Sequence, residues 1–184
     1  MQIRKAMTQA EQRSLLTGIV EMDEAYTGGK PRKGIWHEDD KPGKRSRGTN
    51  KAPIVGAVER DGRVTAKVTT KERMKERHIR AFVRERVDTS KARLITDEYK
   101  GMCKVLRHAV IKHQGWSVDG DVHTNTIEGF WALLKRGLFG QFHSVSRKHL
   151  QRYVDEFCYR YNLRNANPFA AFSRTINLGL GAVE

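Results

Sequence analysis

Two cysteines, Cys103 and Cys158, are all that the 184 residues contain, and they form no CxxC pair. Neither a disulfide framework nor a cysteine-based zinc site is suggested, and a reducing compartment suits the chain. No apolar run approaches the roughly 18 residues of a membrane span, and the opening MQIRKAMTQAEQR lacks the apolar core of a secretory signal. A soluble protein that is neither exported nor held at a membrane is expected. Acidic charge is also scarce: 21 Asp+Glu stand against 35 Lys+Arg, a formal net charge of +14 with a pI of about 10.1. A field of that sign draws polyanions, nucleic acid first among them. Hydrophobic residues at 38% exclude a wholly disordered basic tail. The length suits one domain with a core of its own.

Periodicity divides the chain. Residues 18–26, GIVEMDEAY, alternate around β-branched side chains and predict a strand that closes at Gly28-Gly29. Residues 30–51 hold two prolines and many charges and predict a long basic loop without a core. APIVGAVERDGRVTAKVTT then places two apolar runs around Asp61-Gly62, a hairpin signal because that turn tolerates positive φ. Met74, Ile79, Phe82, Val83 and Val87 recur at near-helical spacing and predict an amphipathic helix over 71–87. A strand at 92–99, a short helix at 102–107, the strand HAVIKH, a helix beginning near 123 and a last helix over 146–161 complete the order. No internal repeat is present. The alternation predicts an α/β domain with a mixed sheet flanked by helices.

The stretch HTNTIEGFWALLKR, residues 123–136, carries unusual chemistry for a helix. At 100° per residue, Glu128 and Lys135 lie about 20° apart, flanked by Asn125 and Ala132. Ile127, Phe130, Trp131, Leu134 and Leu138 gather on a separate apolar stripe that should dock on the sheet and fix where the polar face points. Two readings of Glu128 stand side by side. Asn125-Thr-Ile-Glu128 matches a capping box with Asn125 at N-cap and Glu128 at N3; the same carboxylate suits a metal site.

Two further acids bear on that choice. Asp23 lies within the first predicted strand and Asp97 near the end of another, although aspartate is depleted in strands. Edge exposure would explain either one alone. Together with Glu128 they make a carboxylate set able to hold two divalent cations roughly 3.5–4 Å apart, the clamp used for in-line phosphoryl displacement. Hard oxygen donors suit Mg²⁺ or Mn²⁺. Glu24 and Glu98 follow the two aspartates, and strand alternation turns each away from its neighbour.

MDEAYTGGK, the basic loop, KAPIVGAVER, LITDEYKGM, GDVHTNTIEGFWALLKRG and KHLQRYVDEFCYRYNLR resemble, in order and wording, the ISXO-like insertion-sequence transposases over about residues 18–165. The resemblance implies a ribonuclease-H-like domain with a mixed five-stranded sheet. It also implies a DDE triad of Asp23, Asp97 and Glu128 binding two Mg²⁺ or Mn²⁺ ions, with Asn125 the alternative third member. The basic residue seven positions after the glutamate falls on Lys135. Implied partners are DNA, as transposon ends and as target, and further copies of the chain assembled on that DNA in the bacterial cytosol, associated with the nucleoid. Family members usually carry a zinc-ribbon and helix-turn-helix region ahead of this domain. Here only about 17 residues of lead-in precede it, so a truncated copy or an isolated domain is expected, with residues 166–184 as a C-terminal tail.

DNA contact is expected from Lys44, Arg45 and Arg47 in the loop, and from Lys135, Arg136, Arg147 and Lys148, with Arg152 extending the track. Asn125 and His123 join them at the start of the helix, though a loop histidine is more often only solvated. Trp36 and Trp116 could stack on bases or pack locally, and Trp131 belongs to the core. The activity expected is metal-dependent DNA strand cleavage and strand transfer. A nuclease that only hydrolyses, and a non-catalytic DNA-binding remnant, are the alternatives.

Overall fold

The computed structural model describes residues 2–10, 14–27, 51–97, 108–111, 123–143 and 145–180. Helix α1 (Gln2–Ala10) precedes strand β1 (Leu16–Thr27), the hairpin β2 (Ala52–Glu59) and β3 (Val64–Val68), helix α2 (Glu76–Arg86), strands β4 (Val87–Asp97) and β5 (His108–Ile111), and helices α3 (Asn125–Arg136), α4 (Arg147–Asn162) and α5 (Pro168–Leu180). The expected mixed α/β arrangement is present. Helices α1 and α5 lie in the segments expected as the lead-in and the C-terminal tail. Most of the basic loop, including Lys44, Arg45, Arg47 and Trp36, lies outside the described residues, as do the short helix at 102–107, Cys103 and Trp116.

The sheet runs in the order β3-β2-β1-β4-β5. Of the five strands expected, β1 to β4 form the body with two packed faces, and β5 is a four-residue edge strand described by its backbone pairing to β4. Central β1 pairs antiparallel with β2 and parallel with β4. Asp61 turns the β2–β3 hairpin with φ 58°, the left-handed conformation anticipated for Asp-Gly, and the Gly62 N–H donates to the Glu59 carbonyl.

Strand alternation sends side chains to two cores. Val20 and Met22 of β1, with Val55 and Ala57 of β2, meet Ile79, Phe82 and Val83 of α2 on one face. Ala25, Ile54 and Val58 meet Ile127, Phe130, Trp131 and Leu134 of α3 and Leu150, Val154 and Phe157 of α4 on the other. Both faces are covered because α2 crosses from the hairpin to β4 on one side, and α3 and α4 return on the other. Gly56 admits α3 to the sheet: a Cβ there would fall 2.5 Å from Trp131 Cη2. Helix α1 docks on α4 through Arg4, whose Nε donates to Glu156 Oε2 at 2.6 Å while its guanidinium sits 4.3 Å from the Tyr153 ring centroid.

Candidate active site

Parallel register brings the two strand aspartates together. Val20 is level with Leu94, Glu21 with Ile95 and Met22 with Thr96 on adjacent β1 and β4, so Asp23 and Asp97 are the next residues along. Neighbouring strands lie about 4.8 Å apart. The backbone of Asp97, last residue of β4, is level with Ile111 of β5; its side chain lies outside the described residues. Asp23 is half-buried, and its Oδ2 accepts a hydrogen bond from Trp131 Nε1 at 3.1 Å. Glu24, next along β1, belongs to the opposite face by alternation, and its Oε1 accepts from the Tyr26 hydroxyl at 3.3 Å.

Helix α3 is docked at both ends of this short stretch of β1. Trp131 reaches Asp23, and two residues earlier on the same strand face Glu21, 0% exposed, reaches the helix start. Glu21 Oε2 accepts from the Thr126 N–H at 2.9 Å and the Ile127 N–H at 3.1 Å, and Oε1 accepts from Thr126 Oγ1 at 2.9 Å and Arg60 Nε at 2.6 Å. A buried carboxylate thus satisfies helix donors that have no partner within the helix and meets the positive end of its dipole. This helix start, otherwise suited to a phosphate, is already filled by the protein's own anion.

The capping-box expectation is corrected by this arrangement. Thr124 rather than Asn125 is the N-cap, no side chain of the helix's own start caps it, and the helix donors go to Glu21 instead. A fully buried charge gains more from those N–H groups than an exposed local side chain would. Glu128 is exposed; its N–H donates to the Thr124 carbonyl at 3.1 Å and its Oε1 accepts from Thr124 Oγ1 at 3.1 Å. Asn125, Ala132 and Lys135 are exposed with it, while Ile127, Phe130, Trp131, Leu134 and Leu138 are buried, so the two faces divide as their spacing foretold.

His123 is tied to the same cluster. Its carbonyl accepts from Arg60 Nη2 at 2.9 Å, and its Nδ1 lies 3.5 Å from Glu21 Oε1. It is therefore neither a merely solvated loop residue nor a residue turned wholly to solvent for phosphate. Arg136, Arg147 and Lys148 are exposed and Arg152 half-buried. Glu21, Arg60 and Thr126 escaped the reading of the sequence; the signal was the acid at the position two before Asp23, which alternation puts on the same face. Among the described residues no three His, Cys, Asp or Glu side chains converge as metal ligands, a set that cannot include the Asp97 carboxylate. Carboxylate oxygens from Asp23, Asp97 and Glu128 are hard donors of the kind that Mg²⁺ and Mn²⁺ take, so the donor chemistry fits.

The fold is an α/β domain in which Asp23 and Asp97 lie on adjacent parallel strands and α3 docks on β1. The profile of the ISXO2-like transposase domain matches residues 15–162, and the chain belongs to that family. No curated protein matches it. Among solved structures it is similar to the crystal structure of the Mos1 strand transfer complex, with 13% identity and a TM-score of 0.42 over all of this chain and 62% of that one. A pre-cleavage Mos1 transpososome gives 17% identity and a TM-score of 0.41 over 98% of this chain and 59% of the other. The chain therefore spans about three fifths of these neighbours' length.

Proposed function

We propose that the chain is the ribonuclease-H-like catalytic domain of a DDE transposase that cleaves DNA strands at transposon ends and joins them to target DNA. What supports this reading is the β1–β4 register, in which Asp23 and Asp97 follow the paired Met22 and Thr96, with α3, the helix that bears Glu128, docked on β1. Asp23, Asp97 and Glu128 would hold two Mg²⁺ or Mn²⁺ ions, which when bound supply Lewis-acid polarisation of the phosphate and activation of the attacking oxygen. Trp131 fixes the rotamer of Asp23 through its indole N–H. Glu21 fixes the start of α3 and with it the direction in which Glu128 and Lys135 face. Lys135 and Arg136, exposed in the last turn of α3, would neutralise DNA phosphates, joined by Arg147 and Lys148 at the start of α4. Loop residues Lys44, Arg45 and Arg47 would extend that track, with Asn125 beside Glu128.

The test is Mg²⁺-dependent cleavage and joining of transposon-end DNA, with pre-cut ends assayed separately for strand transfer. Asp23→Asn, Asp97→Asn and Glu128→Gln should each reduce both steps by more than the roughly 10–100-fold that losing an outer-shell partner of a metal costs. Cleavage without any joining of pre-cut ends would make the protein a nuclease only. Activity that survives all three substitutions would overturn the triad, and survival in Glu128→Gln alone would pass the third place to Asn125.

A further inference from the structure

Helix α5 turns four of its five large apolar side chains away from the protein; Leu178 is half-buried. Asn167 starts it: Oδ1 accepts from the Phe169 N–H at 2.9 Å and the Ala170 N–H at 3.4 Å, with Pro168 at the first helical position, where its missing N–H costs nothing. The inner side carries Thr175 against α4 and Gly179 against α1, with Leu178 beside them. Thr175 Oγ1 shares a hydrogen bond with the Tyr159 hydroxyl at 3.2 Å, and a Cβ on Gly179 would lie 3.3 Å from Ile3 Cγ1. None of the 13 residues is buried. Phe169, Phe172, Ile176 and Leu180 are 78%, 64%, 40% and 78% exposed. Their spacing of three, four and four residues confines them to an arc of about 80°.

We propose that this stripe is a two-fold interface between copies of the chain, two α5 helices packing antiparallel. Three observations favour a second copy as the occupant. The stripe is nearly symmetric end to end, Phe169 and Leu180 outside and Phe172 and Ile176 inside, with the two pairs' midpoints about half a residue apart. An antiparallel pair therefore sets Phe169 against Leu180 of the partner subunit and Phe172 against Ile176 of the partner subunit, so each large apolar side chain meets another, as an isologous contact requires. Charge agrees: α5 carries one charged residue, Arg174, in a chain of net charge +14, so two copies meet there with little of the repulsion that other faces would impose. Area agrees as well. At roughly 150–250 Å² for a large apolar side chain, the exposed stripe presents on the order of 500 Å² per copy. Two copies would cover roughly 1,000 Å², the lower bound for a specific interface, and Ile3, 48% exposed beside Gly179, widens it. A membrane surface is the poorer occupant, because interfacial helices carry a Lys/Arg-rich polar face and α5 offers Ser173, Arg174 and Asn177.

Sedimentation velocity on the full chain without DNA, at high salt and at concentrations up to roughly 100 μM, tests this. Wild type should form dimers with a micromolar dissociation constant, and Phe169→Glu with Phe172→Glu should shift the chain to monomer with an unchanged far-UV CD spectrum. Phe169→Leu with Phe172→Leu, which keeps the stripe apolar, should retain the dimer and guards against loss of folding as the explanation. A wild-type monomer across the range overturns the proposal. So does a dimer indifferent to the glutamates.

Discussion

Replacing Glu21 by glutamine changes one atom of a fully buried side chain and should unsettle the whole α3 attachment. All four groups that hydrogen-bond to this carboxylate donate to it: the Thr126 and Ile127 N–H groups, the Thr126 hydroxyl and Arg60 Nε. A glutamine amide keeps one acceptor oxygen and turns an NH₂ group toward the rest. If the NH₂ faces the helix it opposes two backbone N–H donors, and if it faces Arg60 it opposes a guanidinium; the acceptors within reach are the Thr126 hydroxyl, which can rotate, and His123 Nδ1, 3.5 Å from Oε1. Hydrogen bonds to a charged group contribute about 1.5–3 kcal/mol each, and removing one partner of a buried ion pair costs about 3–5 kcal/mol. Arg60, with a side chain 16% exposed, keeps some contact with water, which favours the lower part of that range. A loss of about 3–4 kcal/mol follows, or about 10 °C in Tm for a chain of this size. Urea denaturation followed by far-UV CD should show a lower midpoint at an unchanged slope. A cycle with Thr126→Val should show coupling, because the two side chains share a hydrogen bond. A loss below about 1 kcal/mol, or strictly additive effects, would refute the claim that Glu21 docks the helix.

Gly56→Ala should cost about 1–3 kcal/mol by overpacking, since its Cβ would lie 2.5 Å from Trp131; an unchanged urea midpoint would contradict that contact. Glu128→Gln should leave the midpoint within about 0.5 kcal/mol of wild type, because the side chain is exposed and glutamine keeps an acceptor for Thr124. Mg²⁺ or Mn²⁺ should raise the Tm of wild type by neutralising neighbouring carboxylates, and Asp23→Ala with Asp97→Ala should abolish that gain; an equal rise in the double variant would remove both from the metal site. Burial pushes the Asp155 carboxyl up, against the pull of its hydrogen bonds from Thr8 and Gln151. A raised folded-state pKa means that this group's stabilising contribution is full below the ordinary carboxylate range and is lost as pH rises through the folded value. Asp155→Asn should therefore gain on wild type from acid to neutral pH in urea midpoints, and the opposite trend would reverse the sign.

Local physics was legible in the residues alone. Period-two alternation marked β1 and the hairpin, Asp61-Gly62 marked its turn, and the apolar spacing of α3 separated Trp131 and its neighbours from the exposed face of Glu128 and Lys135. Each of these depends on side chains a few positions apart, whose geometry is set by the helix or strand period. The small, weakly charged α5 gave too little core-facing pattern to stand out, although Asn167-Pro168 is a helix start. Pairing was decided only in three dimensions. The parallel register in which Asp23 and Asp97 follow the paired Met22 and Thr96 joins segments separated by β2, β3 and α2, and no local preference fixes which strands become neighbours. Glu21 shows the same limit from the other side: in a strand an acid reads as solvent-facing, yet α3, more than 100 residues later, brings the N–H groups that make its burial favourable. A buried charge is tolerable only where the tertiary structure delivers its partners.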